Sequence, residues 1–203
     1  GQFAGIPMNL TQADDTIDFI ETGAWSKKAI KEAKKYCNVN VAASSADSNF
    51  DHIPDQGAWQ LSDNARLLHI CSNETIGGVQ FKNFPSSNVP IAVDMSSDIL
   101  SRPVDVNNFA LIYAGAQKNI GPAGLTVVIV RKDLCGNARD MTPTFLDYAQ
   151  QADNDSMINT PPTYGWYLAG LVFKWIKAQG GVAAIDEHNQ VKANLLYGAI
   201  ENS

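Results

Sequence analysis

The sequence predicts a layered α/β protein with a mostly parallel β-sheet. Short apolar runs alternate with helical stretches along the 203 residues, and Gly, Pro, Ser, Asn or Asp bound most of these runs. The composition agrees, because 45% of the residues are hydrophobic and only 18% are charged. A chain of this length can bury about 70% of the surface that it exposes when unfolded. We therefore expect one domain, or a large part of one, and no extended disorder.

The apolar runs predict six strands, in the order Thr16 to Glu21, Asn38 to Ala42, Arg66 to Cys71, Val89 to Val93, Ala110 to Tyr113 and Leu125 to Arg131. Three helices are predicted in the gaps: Ser26 to Tyr36 with Ser26 as its cap, Pro162 to Ala178 with apolar residues near helical spacing, and Val182 to Asn202 after a Gly-Gly break. The polar stretch from Ala43 to Ser62 is predicted to be a surface excursion with one short amphipathic turn around Trp59.

Charge and cysteine content exclude several classes of function. The net charge of -6 argues against a nucleic-acid-binding surface, and the lysines between positions 27 and 35 fit a solvated helix face. No apolar run approaches the roughly 20 residues that span a bilayer, and no secretory leader is present, so we expect a soluble, cytoplasmic protein without a membrane partner. Cys37, Cys71 and Cys135 are scattered, which fits free thiols and neither a disulfide framework nor a metal site.

Two polar residues that follow apolar strands point to a chemistry. Asp94 comes directly after one predicted strand, and Lys118 follows the next in a Gly-containing stretch. In open α/β sheets ligands bind outside the carboxyl ends of the strands. An amine that can hold an aldehyde as a Schiff base, and a carboxylate that can keep a ring nitrogen protonated, are what pyridoxal phosphate (PLP) requires.

Each of these residues also has an ordinary explanation. Asp94 before Met-Ser-Ser fits a helix-capping or strand-end carboxylate, and most lysines in loops simply face solvent. The pair becomes more specific with two further residues, because the Trp25 ring can lie on an aromatic cofactor and the Thr75 hydroxyl can donate to a ring oxygen.

Several motifs resemble one known family. They are Gly1-Gln2-Phe3, Thr22-Gly23-Ala24-Trp25-Ser26, Asn73-Glu74-Thr75-Ile76, Asp94-Met95-Ser96-Ser97, Tyr113-Ala114-Gly115-Ala116-Gln117-Lys118-Asn119, Thr126-Val127-Val128-Ile129-Val130 and Asn159-Thr160-Pro161-Pro162. Together they resemble the phosphoserine aminotransferase family, which belongs to the class V, fold-type I PLP-dependent enzymes. The resemblance implies a three-layer α/β/α large domain with a mostly parallel mixed sheet. It also implies that residues 1–203 are a part of that domain, truncated at both ends and without the small C-terminal domain.

The resemblance implies a role for each matching residue. Lys118 resembles the catalytic lysine that holds the cofactor and shuttles a proton, and Asp94 resembles the partner of the ring nitrogen. Trp25 and Thr75 resemble the ring-stacking residue and the donor to the phenolic oxygen. Contacts to the cofactor phosphate are implied for Ser96 and Gln117 within one subunit and for Asn159 and Thr160 across a homodimer. Asn-Thr before Pro-Pro is also a good helix entry without any ligand.

The implied reaction is the PLP-dependent, ping-pong transfer of an amino group in serine biosynthesis. Glutamate becomes 2-oxoglutarate, and 3-phosphohydroxypyruvate becomes O-phospho-L-serine. The family's Gly-rich phosphate cup and its substrate-binding His and Arg residues have no counterpart in this stretch. Two alternatives therefore stay open: another fold-type I enzyme, such as an alanine:glyoxylate aminotransferase or a cysteine desulfurase, and a non-catalytic fragment.

Overall fold

The computed structural model describes residues 1–203 and has five α-helices and eight strands. The helices are α1 (Gln2–Leu10), α2 (Ala24–Ala33), α3 (Tyr148–Asp153), α4 (Thr163–Ala178) and α5 (Gly181–Glu201). The strands are β1 (Thr16–Glu21), β2 (Asn38–Ser44), β3 (Leu67–Cys71), β4 (Asn73–Glu74), β5 (Val79–Gln80), β6 (Ile91–Asp94), β7 (Leu111–Gly115) and β8 (Thr126–Val130).

Six of the strands form one mixed sheet in the order β2-β1-β3-β6-β7-β8. Every neighbouring pair is parallel except β7 and β8, which are antiparallel. The short strands β4 and β5 form a separate antiparallel hairpin. The mostly parallel mixed sheet confirms the predicted fold class, and the parallel order brings the carboxyl ends of β3, β6 and β7 to one edge.

Hydrophobic side chains alternate between the two faces of the sheet. On one face Phe19, Leu67 and Tyr113 pack with Ile6 and Leu10 of α1 and with Ile30 of α2. On the other face the strand residues Ile70, Val93 and Ile112 pack mainly with loop residues such as Trp59 and Phe81. Both faces are covered, which explains why these strands are nearly continuous apolar runs in the sequence.

The six predicted strands all exist, and their ends differ from the predicted ones by up to two residues. Helix α1 was not predicted, because Gly5 and Pro7 interrupt its pattern, and it is stabilised by packing Ile6 and Leu10 into the core. Helix α3 was missed as well, since six residues carry too little periodicity. The stretch after β2 forms two 3₁₀ turns, and Trp59 is buried at its end.

The predicted cap of α2 was wrong. Gly23 is the capping residue, and Ser26 lies in the first turn, where its Oγ accepts hydrogen bonds from the Thr22 N–H (2.9 Å) and the Gly23 N–H (3.0 Å). A serine at the third position of a helix can accept hydrogen bonds from N–H groups just before the helix. Ser26 therefore does indicate the start of α2, although it is not the capping residue.

Helices α4 and α5 are the least covered part of the molecule, and no residue of α5 is buried. No single helix is both long and apolar enough to cross a membrane. Only α4 and α5 taken together meet that test of length and composition, and a bend of 81° separates them.

Candidate active site

A cavity of about 200 Å³ opens at the carboxyl ends of β3, β6 and β7. Cys71, Asp94 and Gly115, the last residues of these three strands, all line it. Six of the eight residues predicted to form the site also line this cavity: Trp25, Thr75, Asp94, Ser96, Gln117 and Lys118. The fold therefore gathers these six residues from four separate segments of the chain into one place.

Asp94 supplies a buried carboxylate to this cavity. It is the last residue of β6 and is 7% exposed. Its Oδ1 accepts a hydrogen bond from the Ser96 N–H at 2.8 Å. Burial raises the pKa of this carboxyl above 3.8, while hydrogen bonds from Ser96 and Tyr113 act in the opposite direction. A desolvated carboxylate of this kind gains energy from a cationic N–H partner, so the position favours a protonated nitrogen in a ligand.

Lys118 occupies a strained position in the turn after β7. Its φ angle is 47°, in the left-handed region, which costs about 1–2 kcal/mol for a residue other than glycine. The neighbours hold it there, because Ile120 is buried, the Asn119 side chain donates to Ile99 O at 2.9 Å and the Ala116 N–H donates to Leu125 O at 2.8 Å. The amine is exposed and belongs to the cavity lining. Strain of this kind is commonly stored at functional sites.

The position of Trp25 depends on a residue that the sequence did not single out. Both carboxylate oxygens of Glu74 accept backbone hydrogen bonds, Oε2 from Trp25 N–H and Oε1 from Ser26 N–H, each at 2.8 Å. Glu74 is completely buried and ends β4, directly before Thr75. A Cβ atom at Gly23 would lie 2.7 Å from the Glu74 carboxyl carbon, so only glycine fits beside this carboxylate. Glu74 thus holds the Trp25 and Thr75 segments together.

Serine hydroxyls join the loops around Asp94. The Ser96 Oγ accepts a hydrogen bond from the Gly115 N–H at 3.0 Å, which links the loop after β6 to the end of β7. The Ser97 Oγ donates to Asn73 O and accepts from the Asn73 side chain, both at 2.8 Å. Both serines line the cavity, and their hydroxyls hold its walls at fixed separations.

Asn159 and Thr160 lie elsewhere. Both are exposed in the irregular segment before α4, and neither lines the cavity. Their predicted contact with the cofactor phosphate of a neighbouring subunit stays a prediction.

Other lining residues were not singled out from the sequence: Gly1, Gln2, Phe3, Cys71, Asn73, Ser97, Tyr113, Gly115 and Thr126. Cys71 and Tyr113 belong to apolar strands and look like core residues, and the first three residues reach the cavity through the unpredicted helix α1. Their positions in the motifs were the available signal, since each lies within or beside a motif that carries the family resemblance.

The family model for aminotransferase class-V proteins matches residues 2–203. The chain therefore belongs to the aminotransferase class-V family. Its curated relatives include the phosphoserine aminotransferase of Ectopseudomonas mendocina, which is 61% identical over all 203 residues. Those residues correspond to 56% of that relative, so the chain spans little more than half the length of the curated relatives that it matches.

Solved structures agree with the sequence comparison. The phosphoserine aminotransferase from Bacillus circulans subsp. alkalophilus superposes with a TM-score of 0.95 at 51% identity, over 98% of this chain and 56% of that one. A PLP-bound phosphoserine aminotransferase from Trichomonas vaginalis superposes with a TM-score of 0.93 at 40% identity, over 100% of this chain and 57% of that one. The chain is thus similar to a little more than half of each of these enzymes in both sequence and fold.

Proposed function

We propose that the protein containing this chain is a PLP-dependent phosphoserine aminotransferase. The observation that carries the proposal is the meeting of Lys118, Asp94, Trp25 and Thr75 at one cavity, at the sheet edge where an α/β fold binds ligands. The names of the relatives support the same assignment. The overall reaction would convert glutamate and 3-phosphohydroxypyruvate into 2-oxoglutarate and O-phospho-L-serine, in two half-reactions at one site.

The lining residues fit the cofactor by their chemistry. Asp94 offers a buried anion to a pyridinium N–H, Lys118 offers a primary amine, and Trp25 offers a half-buried aromatic ring. Thr75 would donate to the phenolic oxygen, and the polar groups of Ser96 and Gln117 would bind phosphate. When bound, PLP supplies an electrophilic carbon and a ring that accepts electrons from a carbanion.

Lys118, Asp94 and Glu74 would each have a different role in the reaction. The Lys118 Nζ would hold the cofactor between turnovers, and during turnover it would remove the proton from the substrate α-carbon. Asp94 would keep a proton on the ring nitrogen, because a buried carboxylate favours a cationic neighbour. Glu74 would hold the Trp25 backbone at the edge of the cavity, which limits the positions open to the indole.

The proposal extends to a homodimer with shared sites. Asn159 and Thr160 are exposed and outside the cavity of their own chain. This placement supports a role at the cofactor phosphate of a partner subunit, as the family resemblance implies.

The test is chemical labelling of the full-length protein. With PLP added, we expect a visible absorption band, and borohydride reduction followed by peptide mapping should place the cofactor on Lys118. The Lys118→Ala variant should lose the band and lower the transamination rate by several orders of magnitude, since the covalent step is lost. Lys132→Ala, which changes an exposed lysine outside the cavity, is the matched control and should keep both. A label on another lysine would overturn the assignment.

The substrate is tested separately. We expect the full-length protein to transfer the amino group of O-phospho-L-serine to 2-oxoglutarate with a kcat/KM far above that for alanine or cysteine. Preferred turnover of alanine with glyoxylate, or release of sulfur from cysteine, would instead assign the protein to one of the other fold-type I activities.

A further inference from the structure

A row of buried polar side chains continues from Asp94 away from the cavity. The strand registers place Cys71 opposite Asp94 and Asp94 opposite Tyr113. Residues opposite each other in neighbouring strands point to the same face of a sheet, and His69 shares that face because it lies two positions before Cys71. Asp94 and Tyr113 line the cavity, whereas His69 lies behind them.

His69 is buried in an apolar environment. It is 3% exposed, and its ring centroid lies 4.9 Å from that of Phe19. Its Nε2 is 3.0 Å from the Tyr113 hydroxyl, and its Nδ1 is buried with no hydrogen-bond partner. Burial lowers the pKa of His69 to about 3, so the imidazole is neutral at physiological pH and carries a single N–H.

The number of protons that each side chain in this row can donate sets the direction of the hydrogen bonds between them. Asp94 lies opposite Tyr113 in the neighbouring strand, and both line the cavity. An ionised carboxylate only accepts, so in a hydrogen bond between these two side chains the Tyr113 hydroxyl has to be the donor. The hydroxyl has one proton, and toward His69 it must therefore accept. The proton of His69 then resides on Nε2, and Nδ1 is the unprotonated nitrogen. This assignment leaves a lone pair without a partner at Nδ1 and avoids a buried N–H without one.

We propose that His69 and Tyr113 are positioning residues for Asp94. The chain from His69 Nε2–H to the Tyr113 hydroxyl and on to the Asp94 carboxylate orients that carboxylate and stabilises its ionised form at the cavity. The benefit for a ring nitrogen rests on the proposed function. The tautomer of His69 and the order of the hydrogen bonds do not depend on it.

The first test needs neither a variant nor the cofactor. In the cofactor-free, full-length protein labelled with ¹⁵N-histidine, the chemical shifts of His69 should report a protonated Nε2 and an unprotonated Nδ1 between about pH 5 and 8. His52 and His188 are both exposed, so among residues 1–203 His69 is the buried histidine. A proton on Nδ1, or an imidazolium in this range, would overturn the proposed direction of the chain.

The second test follows the titration of the Asp94 carboxyl by ¹³C NMR in the cofactor-free protein. Besides Tyr113, the titratable groups that face Asp94 are Cys71 from β3, Glu74 from the β4 hairpin and Lys118 across the cavity, and all three remain in every variant. Tyr113→Phe should move the Asp94 titration to higher pH, because the carboxylate loses a donor.

Variants of His69 separate positioning from simple packing. His69→Leu should produce a smaller shift of Asp94 in the same direction, and His69→Gln, which keeps an N–H near the Nε2 position, should restore the wild-type titration. An unchanged Asp94 titration in both Tyr113→Phe and His69→Leu would refute the positioning role.

Measuring PLP binding tests the positioning role and the proposed function together. In Tyr113→Phe we expect the dissociation constant of PLP to rise about tenfold, the effect of one charge-assisted hydrogen bond, with the label still on Lys118. If wild-type protein fails to bind PLP while the NMR results stand, the proposed function fails and the hydrogen-bond chain survives. If wild-type protein binds PLP and Tyr113→Phe binds it equally well, the positioning role fails alone.

Discussion

Burial shifts the pKa values of two ionisable side chains at this site in opposite directions. Burial raises the pKa of Asp94 and lowers that of His69 to about 3. In each case the neutral form is favoured, because a charge loses hydration energy inside the protein. A carboxylate at Asp94 therefore costs folding free energy, and such a cost is a common compromise between stability and function.

His69 should make the folded protein sensitive to acid. Between its ordinary pKa of 6.5 and its folded value of about 3, the unfolded chain binds a proton that the folded chain does not. The contribution of His69 to stability is therefore complete above pH 6.5 and is lost on acidification, at up to about 1.4 kcal/mol per pH unit. In the cofactor-free protein, denaturant unfolding of His69→Gln should lack this part of the pH slope.

The matched control for His69→Gln is His188→Gln, since His188 is exposed on α5. Both variants keep Asp94, whose opposite contribution therefore cancels from the comparison with wild type. Equal pH slopes for wild type and His69→Gln would contradict the burial of a neutral His69.

At the scale of elements, α2 begins at the cavity and is capped from a distant part of the chain. Gly23 has no side chain to offer its first turn, and the two N–H groups of Trp25 and Ser26 bond to the Glu74 carboxylate instead. A negative charge at a helix N-terminus is also favoured by the helix dipole. One buried carboxylate therefore stabilises the helix and sets the position of a cavity-lining ring.

We expect Glu74→Ala to lower the free energy of unfolding by about 2–4 kcal/mol, because two buried N–H groups lose a charged acceptor. Chemical denaturation of the cofactor-free protein measures this loss. Asp147→Ala is the control. Asp147 also accepts hydrogen bonds from two backbone N–H groups, at the start of α3, but it is only half-buried and its partners are close to it in sequence. Its removal should cost about 1 kcal/mol. Equal losses would show that the burial of Glu74 is unimportant.

For the molecule as a whole, the main feature is the apolar surface of α4 and α5. Large side chains that are more than half exposed include Tyr164, Tyr167, Trp175, Leu195, Leu196, Tyr197 and Ile200. Exposed apolar surface of this extent is unusual in a monomeric protein and marks an interaction surface. A homodimer, or further parts of a longer chain, would cover it.

We therefore expect the 203-residue chain, studied alone, to self-associate as its concentration rises in sedimentation velocity experiments. The double variant Leu195→Lys/Leu196→Lys should weaken the association, because it removes apolar surface. Glu187→Lys, at an exposed position on the same helix, changes the net charge by the same amount and should leave the association nearly intact. A chain that sediments as a monomer at all concentrations would contradict the expectation.

The sequence by itself determined the fold class, the positions of the sheet strands and four of the segments that reach the cavity, those that carry Trp25, Thr75, Asp94 and Lys118. Strand periodicity and turn residues are local properties, so Asp94 and Lys118 could be placed at strand ends without coordinates. Predictions from local patterns failed where packing outweighs them. Helix α1 was not predicted because Gly5 and Pro7 interrupt its pattern, and packing against the core stabilises it.

Only the tertiary structure decided which distant side chains meet. Glu74 bonds to residues 48 and 49 positions away, and His69 meets Tyr113 across 44 positions. Glu74, His69 and Tyr113 looked like motif or core residues in the sequence, and Asn159 and Thr160 turned out to lie apart from the cavity of their own chain. Such pairings depend on strand order and register, which are set by how all the strands pack together, and no short stretch of sequence contains that information.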